Sequence, residues 1–332
     1  MTNCAATHDK DAILIIYTGG TIGMQQSSQG YTPNAGIEAL ITQSFNQKNL
    51  DAIQPFDIIE FEQLIDSSNA QPSDWLKIAN CINDNYDKYT GFIVLHGTDT
   101  MAYTACALHH IFGKNIKPII VTGSQIPMCE IRSDGPSNLL DAIIYIRNSE
   151  LAEVCISFAG DLLPAVSAKK VHTSALSAFK SVNKPALASA DITLRVEAHQ
   201  INSDTKKQFK LDTLSDNSVS VLLLYPGISK QAIDAVLLNE QTKAVIMLSF
   251  GAGNPPDANQ DLISALKIAR QRKTVILNMT QCHQGKVAQG CYAAGSILNE
   301  LGVISAEDRT LEDALTDLYI NLDRYLDNSL DT

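Results

Sequence analysis

Three short segments gather hydroxyls, glycines and a carboxylate in patterns that chemistry can use: TGGTIG at Thr18–Gly23, HGTDT at His96–Thr100 and TGSQIP at Thr122–Pro127. A threonine hydroxyl attacks only when a neighbouring group removes its proton. HGTDT sets Thr98 beside Asp99 and has His96 two residues earlier, while Lys169 and Lys170 offer amines further along the chain. A lysine can serve as a base once burial or a nearby cation lowers its pKa. Each feature also has an ordinary reading. TGGTIG alone is a tight strand-to-helix turn with Thr21 as a turn or capping hydroxyl. Asp99 alone caps a helix starting near Met101. His96 at a strand end reads better as a satisfied structural histidine than as a base, and the two lysines as a solvated pair. TGGTIG lacks the GK[ST] of a phosphate loop and the GxGxxG of a dinucleotide fold, which argues against nucleotide binding there.

The elements that must position these segments show as short apolar runs: Ala12–Tyr17, Phe92–Leu95, Pro118–Val121, Val154–Phe158, Val221–Tyr225, Ala244–Leu248 and Thr274–Leu277. Continuous apolar strands are buried on both faces, as in parallel sheets. Between them, Ser73–Asn85, Ala102–Phe112 and Pro136–Ile146 carry helical spacing, with Ser73 and Asp134 as N-cap candidates. The alternation predicts an α/β protein with a larger N-terminal domain, a mainly parallel sheet flanked by helices, and a smaller α/β C-terminal domain with a parallel sheet. The polar stretch Asp191–Asn217 marks the junction, giving domains at 1–195 and 218–332 with a linker at 196–217. In such sheets ligands bind beyond the carboxyl ends of strands, which is where all three polar turns fall.

Composition excludes several partner classes. With 25 Lys plus Arg against 36 Asp plus Glu, the net charge of −11 repels phosphate backbones and anionic headgroups, so neither nucleic acid nor a membrane is expected as a partner. Seven cysteines, an odd count without CxxC spacing, suit a reducing compartment, and the scattered histidines, of which only His109 and His110 adjoin, offer no zinc site. A polar N-terminus leading into the six-residue apolar run Ala12–Tyr17 is expected to be that of the mature, cytoplasmic chain, since the run is too short for a signal core or a membrane span.

With these segments in place the chain resembles the bacterial-type L-asparaginase family, most closely its cytoplasmic type I branch. The resemblance runs through TGGTIG, GFIVLHGTDTM at Gly91–Met101 and TGSQIP, and in order through DSS at Asp66–Ser68, RSDG at Arg132–Gly135, YPGIS at Tyr225–Ser229 and TQC at Thr280–Cys282, so it covers nearly the whole chain. It implies Thr21 as nucleophile, Tyr31 as the tyrosine of a mobile flap beside it, and Thr98, Asp99 and Lys170 as the second catalytic group. It implies a substrate-binding set of Asp66, Ser67, Ser68, Asp99 and Ser124, with Ser67 holding the substrate α-carboxylate and Asp99 the α-ammonium. The implied reaction is attack on the side-chain amide of L-asparagine, release of ammonia and hydrolysis of an acyl-enzyme, without metal or organic cofactor. A homodimer or dimer of dimers is implied, each site closed by the neighbouring C-terminal domain. Asn254 in GAGNPP at Gly251–Pro256 is the polar candidate for that closure, beside the ordinary reading of a glycine-proline turn.

The chain departs from the family in two places. Cooperative type I members use a threonine before the catalytic lysine and an arginine on a C-domain strand to bind a second asparagine; here those positions are Lys169 and Leu248, so no activation is expected there. The loop expected at Gly160–Ala168 lacks the usual arginine-rich stretch. A glutaminase-asparaginase or a tRNA-dependent amidotransferase subunit would share the same core, and an amino-acid sensor on a retained scaffold is the reading of another class.

Overall fold

In the computed structural model the described residues are 12–28, 30–45, 53, 55–113, 116–148, 151–190, 194–196, 214, 218–290 and 293–328. They fall into two compact units, within 1–212 and 213–332. The first contains β1 (Ile13–Gly19), β2 (Met24–Ser27), β3 (Gly30–Pro33), α1 (Ile37–Ser44), β4 (Phe56–Ile65), α2 (Pro72–Asp84), β5 (Phe92–Leu95), α3 (Met101–Phe112) and β6 (Ile119–Thr122). It continues with α4 (Gly135–Asn148), β7 (Val154–Phe158), β8 (Asp161–Pro164), β9 (Ala168–Lys170), β10 (Phe179–Ser181), β11 (Ala188–Ala190) and β12 (Leu194–Val196).

Every residue of β1 is buried, because alternate side chains enter opposite layers. Leu14 and Ile16 pack with Ile78, Ile82, Leu108 and Phe112 of α2 and α3. Ile13, Ile15 and Tyr17 pack on the other face with Ile37 and Ile41 of α1 and Leu139 and Ile143 of α4. A strand serving two helical layers needs an unbroken apolar run, which is why β1, β5, β6 and β7 are legible in the sequence. The eight-stranded sheet has the order β12-β11-β8-β7-β6-β5-β1-β4. Pairings from β4 to β7 are parallel, and those of β7 with β8, β8 with β11 and β11 with β12 are antiparallel. Since β1 is followed by β4 on one side and β5 on the other, the order reverses at β1, and the crevice beyond the carboxyl ends of β1 and β5 is where such a sheet binds ligands.

The second unit contains β13 (Val219–Leu223), α5 (Lys230–Leu237), β14 (Ala244–Ser249), α6 (Gln260–Gln271), β15 (Val275–Thr280), α7 (Ala293–Glu300), β16 (Ile304–Ser305) and α8 (Leu311–Asn328). Its sheet, in the order β13-β14-β15-β16, is parallel throughout. One face is covered by Ile233, Leu237, Leu262 and Leu266, the other by Ala314 and Leu318. Both sheets and their helical layers agree with the α/β architecture expected from the sequence.

Several local expectations change. The strand expected at Val221–Tyr225 is β13, two residues earlier, paired from Val219 with Ala244 to Leu223 with Leu248. Ser73 is not the cap of α2: Gln71 is, with Pro72 as the first helical residue and the Asp74 carboxylate accepting from the Gln71 amide at 2.9 Å. Proline favours that place because its missing N–H would be unpaired there anyway. The segment Gly160–Ala168 is no open loop but β8 followed by a turn of 3-10 helix. Of the expected linker 196–217, residues 197–213 and 215–217 lie outside the described residues.

Candidate active site

The three glycine-bearing turns meet through their backbones. Gly20, with φ of 87°, packs so closely on the HGTDT turn that a Cβ there would lie 2.3 Å from the Gly97 nitrogen. Gly97 in turn leaves no room for a side chain, because a Cβ would lie 2.3 Å from Ser67 Oγ. The residues preceding Thr21 and Thr98 therefore touch, and Ser67 lies against the same spot. The turn at Ser67–Asn69 is fastened by Thr100 Oγ1, which donates to the Ser67 carbonyl at 2.7 Å. Asp66 caps that turn by accepting from the Ser68 amide at 3.1 Å. Ser67 is buried, whereas Asp66 and Ser68 are exposed.

Lys170 is the last residue of β9, paired with Phe179 of β10. Its Nζ donates to Thr98 Oγ1 at 2.9 Å and to Asp99 Oδ1 at 2.7 Å. Thr98 is buried and Asp99 exposed, so the trio runs from a buried hydroxyl to a carboxylate open to solvent. Lys169, one residue earlier on the same strand, pairs with Lys180 and points to the opposite face. Strand alternation therefore brings Lys170, and not its neighbour on β9, to Thr98 and Asp99. Thr21 opens a 3-10 turn after Gly20 and is half-buried.

His96 is buried, with Nδ1 2.8 Å from the Gly97 carbonyl and Nε2 3.0 Å from Thr104 Oγ1. A carbonyl only accepts, so Nδ1 carries the proton and Nε2 accepts from Thr104. Burial holds its pKa below the ordinary histidine value. This is the satisfied structural histidine expected from its place at the strand end.

Tyr31 lies on β3 opposite Gln26 of β2 and is 44% exposed. Its hydroxyl donates to Glu130 Oε1 at 2.5 Å. That hydrogen bond is the foremost cause that raises the phenol's pKa. Ser124 is fully buried and its Oγ has no hydrogen-bond partner. Asn254 belongs to the second unit, in a bridged turn where its amide donates to the Phe250 carbonyl at 2.8 Å and Phe250 N–H donates to its own at 3.0 Å.

Three supporting residues were not named as site residues from the sequence. Gln125 accepts from Thr98 Oγ1 at 3.3 Å while its Nε2 donates to the carbonyls of Thr173 and Ala175 at 3.3 and 3.0 Å, tying Thr98 to the segment after Lys170. Asp134, expected only as a helix cap, accepts from the amides of Gln125 and Ile126 and from Asn138 Nδ2. Glu130 holds Tyr31. Only the fit of RSDG to a known pattern hinted at this segment, and that fit says nothing about partners. Among the described residues no group of three or more His, Cys, Asp or Glu side chains could hold a metal ion. Among the same residues no helix is long and apolar enough to cross a membrane.

Residues 12–202 match the model of the asparaginase N-terminal domain, and residues 218–329 that of the glutaminase/asparaginase C-terminal domain. L-asparaginase 1 of Escherichia coli (strain K12) is 40% identical over 318 residues, covering 96% of this chain and 94% of its own. Among solved structures, L-asparaginase I from Vibrio cholerae O1 superposes with a TM-score of 0.85 at 39% identity, over 97% of each chain. The probable cytoplasmic L-asparaginase from Campylobacter jejuni does so with a TM-score of 0.77 at 26% identity, over 97% of this chain and 100% of its own. In sequence from end to end, and in the fold that gathers its threonine turns, this chain belongs to the asparaginase family.

Proposed function

We propose that the protein is an L-asparaginase, hydrolysing L-asparagine to L-aspartate and ammonia. The observation that carries this reading is the contact of Lys170 Nζ with both Thr98 Oγ1 and Asp99 Oδ1, at 2.9 and 2.7 Å, on the turn against which Gly20, the residue before Thr21, is packed. Similarity to E. coli L-asparaginase 1 along nearly the full length of both chains supports the substrate.

In this reading Thr21 is the nucleophile. Its oxygen bonds to the side-chain amide carbon of asparagine, and the carbonyl oxygen takes the negative charge beside backbone N–H groups near Thr98. Collapse breaks the C–N bond as the amide nitrogen takes up the proton that left Thr21 and departs as ammonia, and water then cleaves the resulting ester, giving aspartate and restoring the Thr21 hydroxyl. Thr98, Lys170 and Asp99, joined by hydrogen bonds, form the group that relays protons in this reading, with Lys170 held by Asp99 beside the Thr98 hydroxyl. Ser67, with Asp66 and Ser68 beside it, receives the substrate α-carboxylate and Asp99 the α-ammonium; holding both charged groups of the α-carbon fixes that end and aims the side-chain amide. Ser124, whose buried Oγ has no hydrogen-bond partner, is the further substrate-binding residue in this reading. Tyr31 approaches from the hairpin of β2 and β3.

Residues 1–195 form the catalytic domain in this assignment and 218–332 the second domain, joined by 196–217. The protein acts in the cytoplasm as a homo-oligomer, a dimer or a dimer of dimers, with Asn254 reaching a neighbour's site. The naming of a structural relative as a probable cytoplasmic L-asparaginase supports the first part.

The test is ammonia release by the purified protein beside a Thr21→Ala variant, which should lose roughly 10³-fold or more in kcat. Unchanged turnover in that variant would remove Thr21 from its role. Comparing kcat/KM for asparagine and glutamine decides the substrate, because one methylene is worth only about 1–3 kcal/mol. A higher value for glutamine would overturn the assignment.

A further inference from the structure

The hairpin of β2 and β3 carries Tyr31, and both strands are exposed toward their turn. A two-stranded hairpin is marginally stable by itself, so where it sits depends on what fastens it. Its base is pinned: Asn34 N donates to the Gly23 carbonyl at 3.4 Å, Tyr17 Oη donates to the Asn34 carbonyl at 3.2 Å, and Gly36 N donates to the Glu60 carboxylate at 2.9 Å. The hairpin also meets the segment 128–133. Tyr31 Oη donates to Glu130 Oε1 at 2.5 Å and Cys129 Sγ donates to the Met24 carbonyl at 3.4 Å. That segment is itself anchored, since Met128 N donates to the Ile22 carbonyl at 3.0 Å and Ser133 Oγ to the Ile126 carbonyl at 2.9 Å. It thus ties the hairpin to the residue next to Thr21.

We propose that Glu130 is a positioning residue whose carboxylate latches the Tyr31 hydroxyl and so fixes the β2–β3 hairpin beside the threonine turn. A carboxylate only accepts, so the phenolic proton is committed to Glu130 and the ring is held at one end of a short, charge-assisted bond. The hairpin's base cannot replace this contact, because Tyr31 lies near the turn end of β3, opposite Gln26. The inference rests on the reading of Tyr31 as a residue that approaches bound asparagine.

Hydrogen exchange of the amides in β2 and β3, with steady-state kinetics on asparagine, tests it in Glu130→Ala, Glu130→Gln, Tyr31→Phe and the double variant Glu130→Ala/Tyr31→Phe. Glu130→Ala should speed hairpin exchange about tenfold, the equivalent of losing one such bond. It should also raise KM about fivefold to tenfold with the unfolding midpoint unchanged, since Glu130 is exposed. Glu130→Gln keeps an acceptor oxygen and should restore most of both. The double variant should exchange no faster than Tyr31→Phe alone, because both changes break one bond. Wild-type exchange in Glu130→Ala, or additive exchange in the double variant, would overturn the latch. Exchange is read without substrate, so a chain that failed to hydrolyse asparagine would sink the asparaginase reading while the latch was still decided.

Discussion

Lys170 Nζ lies 2.9 Å from Thr98 Oγ1, although 72 positions separate the two residues in the chain. The contact exists because β9 places Lys170 over the turn that follows β5, with Asp99 as its second partner at 2.7 Å.

Removing that amine should be costly. Lys170→Met keeps the length of the side chain but abolishes both bonds, and kcat should fall about 10²–10⁴-fold, the usual worth of a positioned acid or base. Lys169→Met, on the opposite face of β9, should change kcat by less than about fivefold. Equal losses in the two variants would show that the wrong lysine has been chosen.

The backbone contact between the two turns leaves no room for a methyl group. Gly20→Ala places a Cβ 2.3 Å from the Gly97 nitrogen at a φ of 87°, where a side chain is also strained. The strain alone costs about 1–3 kcal/mol, visible as a lowered denaturant midpoint. A shift of about 1 Å between the turns should lower kcat/KM about 100-fold. Wild-type stability and activity together would mean the turns are not in contact.

Burial holds His96 below the ordinary histidine pKa, so the folded chain takes up its proton at lower pH than the unfolded chain, which does so at about pH 6.5. Its contribution is complete above that pH and is lost as the pH falls below it, by up to about 1.4 kcal/mol per pH unit for one proton. Urea midpoints recorded from about pH 7.5 to about pH 5 should fall accordingly, and the slope should flatten in His96→Gln. An equal slope in the variant would assign the effect elsewhere. Thr104→Val should cost about 1–3 kcal/mol at neutral pH by leaving Nε2 buried without a donor.

Lys169 and Leu248 stand where cooperative relatives are expected to carry a threonine and an arginine for a second asparagine. Leu248 lies on β14, paired with Leu223 and Met279, and offers no planar donor for a carboxylate. Initial rates against asparagine should therefore follow a hyperbola with a Hill coefficient near about 1. A sigmoidal curve abolished by substitutions around the exposed Cys282 would contradict this.

What the sequence determined by itself was local in the chain: which runs are apolar enough to lie between two helical layers, and which polar turns follow them. β1, β5, β6 and β7 announce themselves because both faces of each are buried. β4 does not, since Asp57, Glu60, Glu62 and Gln63 interrupt its apolar residues, which an edge strand with one solvated side tolerates. Which side chains meet was decided by tertiary structure alone. Lys170 rather than Lys169 reaches Thr98 because a strand turns successive residues to opposite faces. Tyr31 meets Glu130 from 99 positions away because the hairpin lies on a separately anchored segment. Periodicity records burial, which each residue carries in its own chemistry; partnership depends on where distant segments are brought together, and no local pattern encodes it.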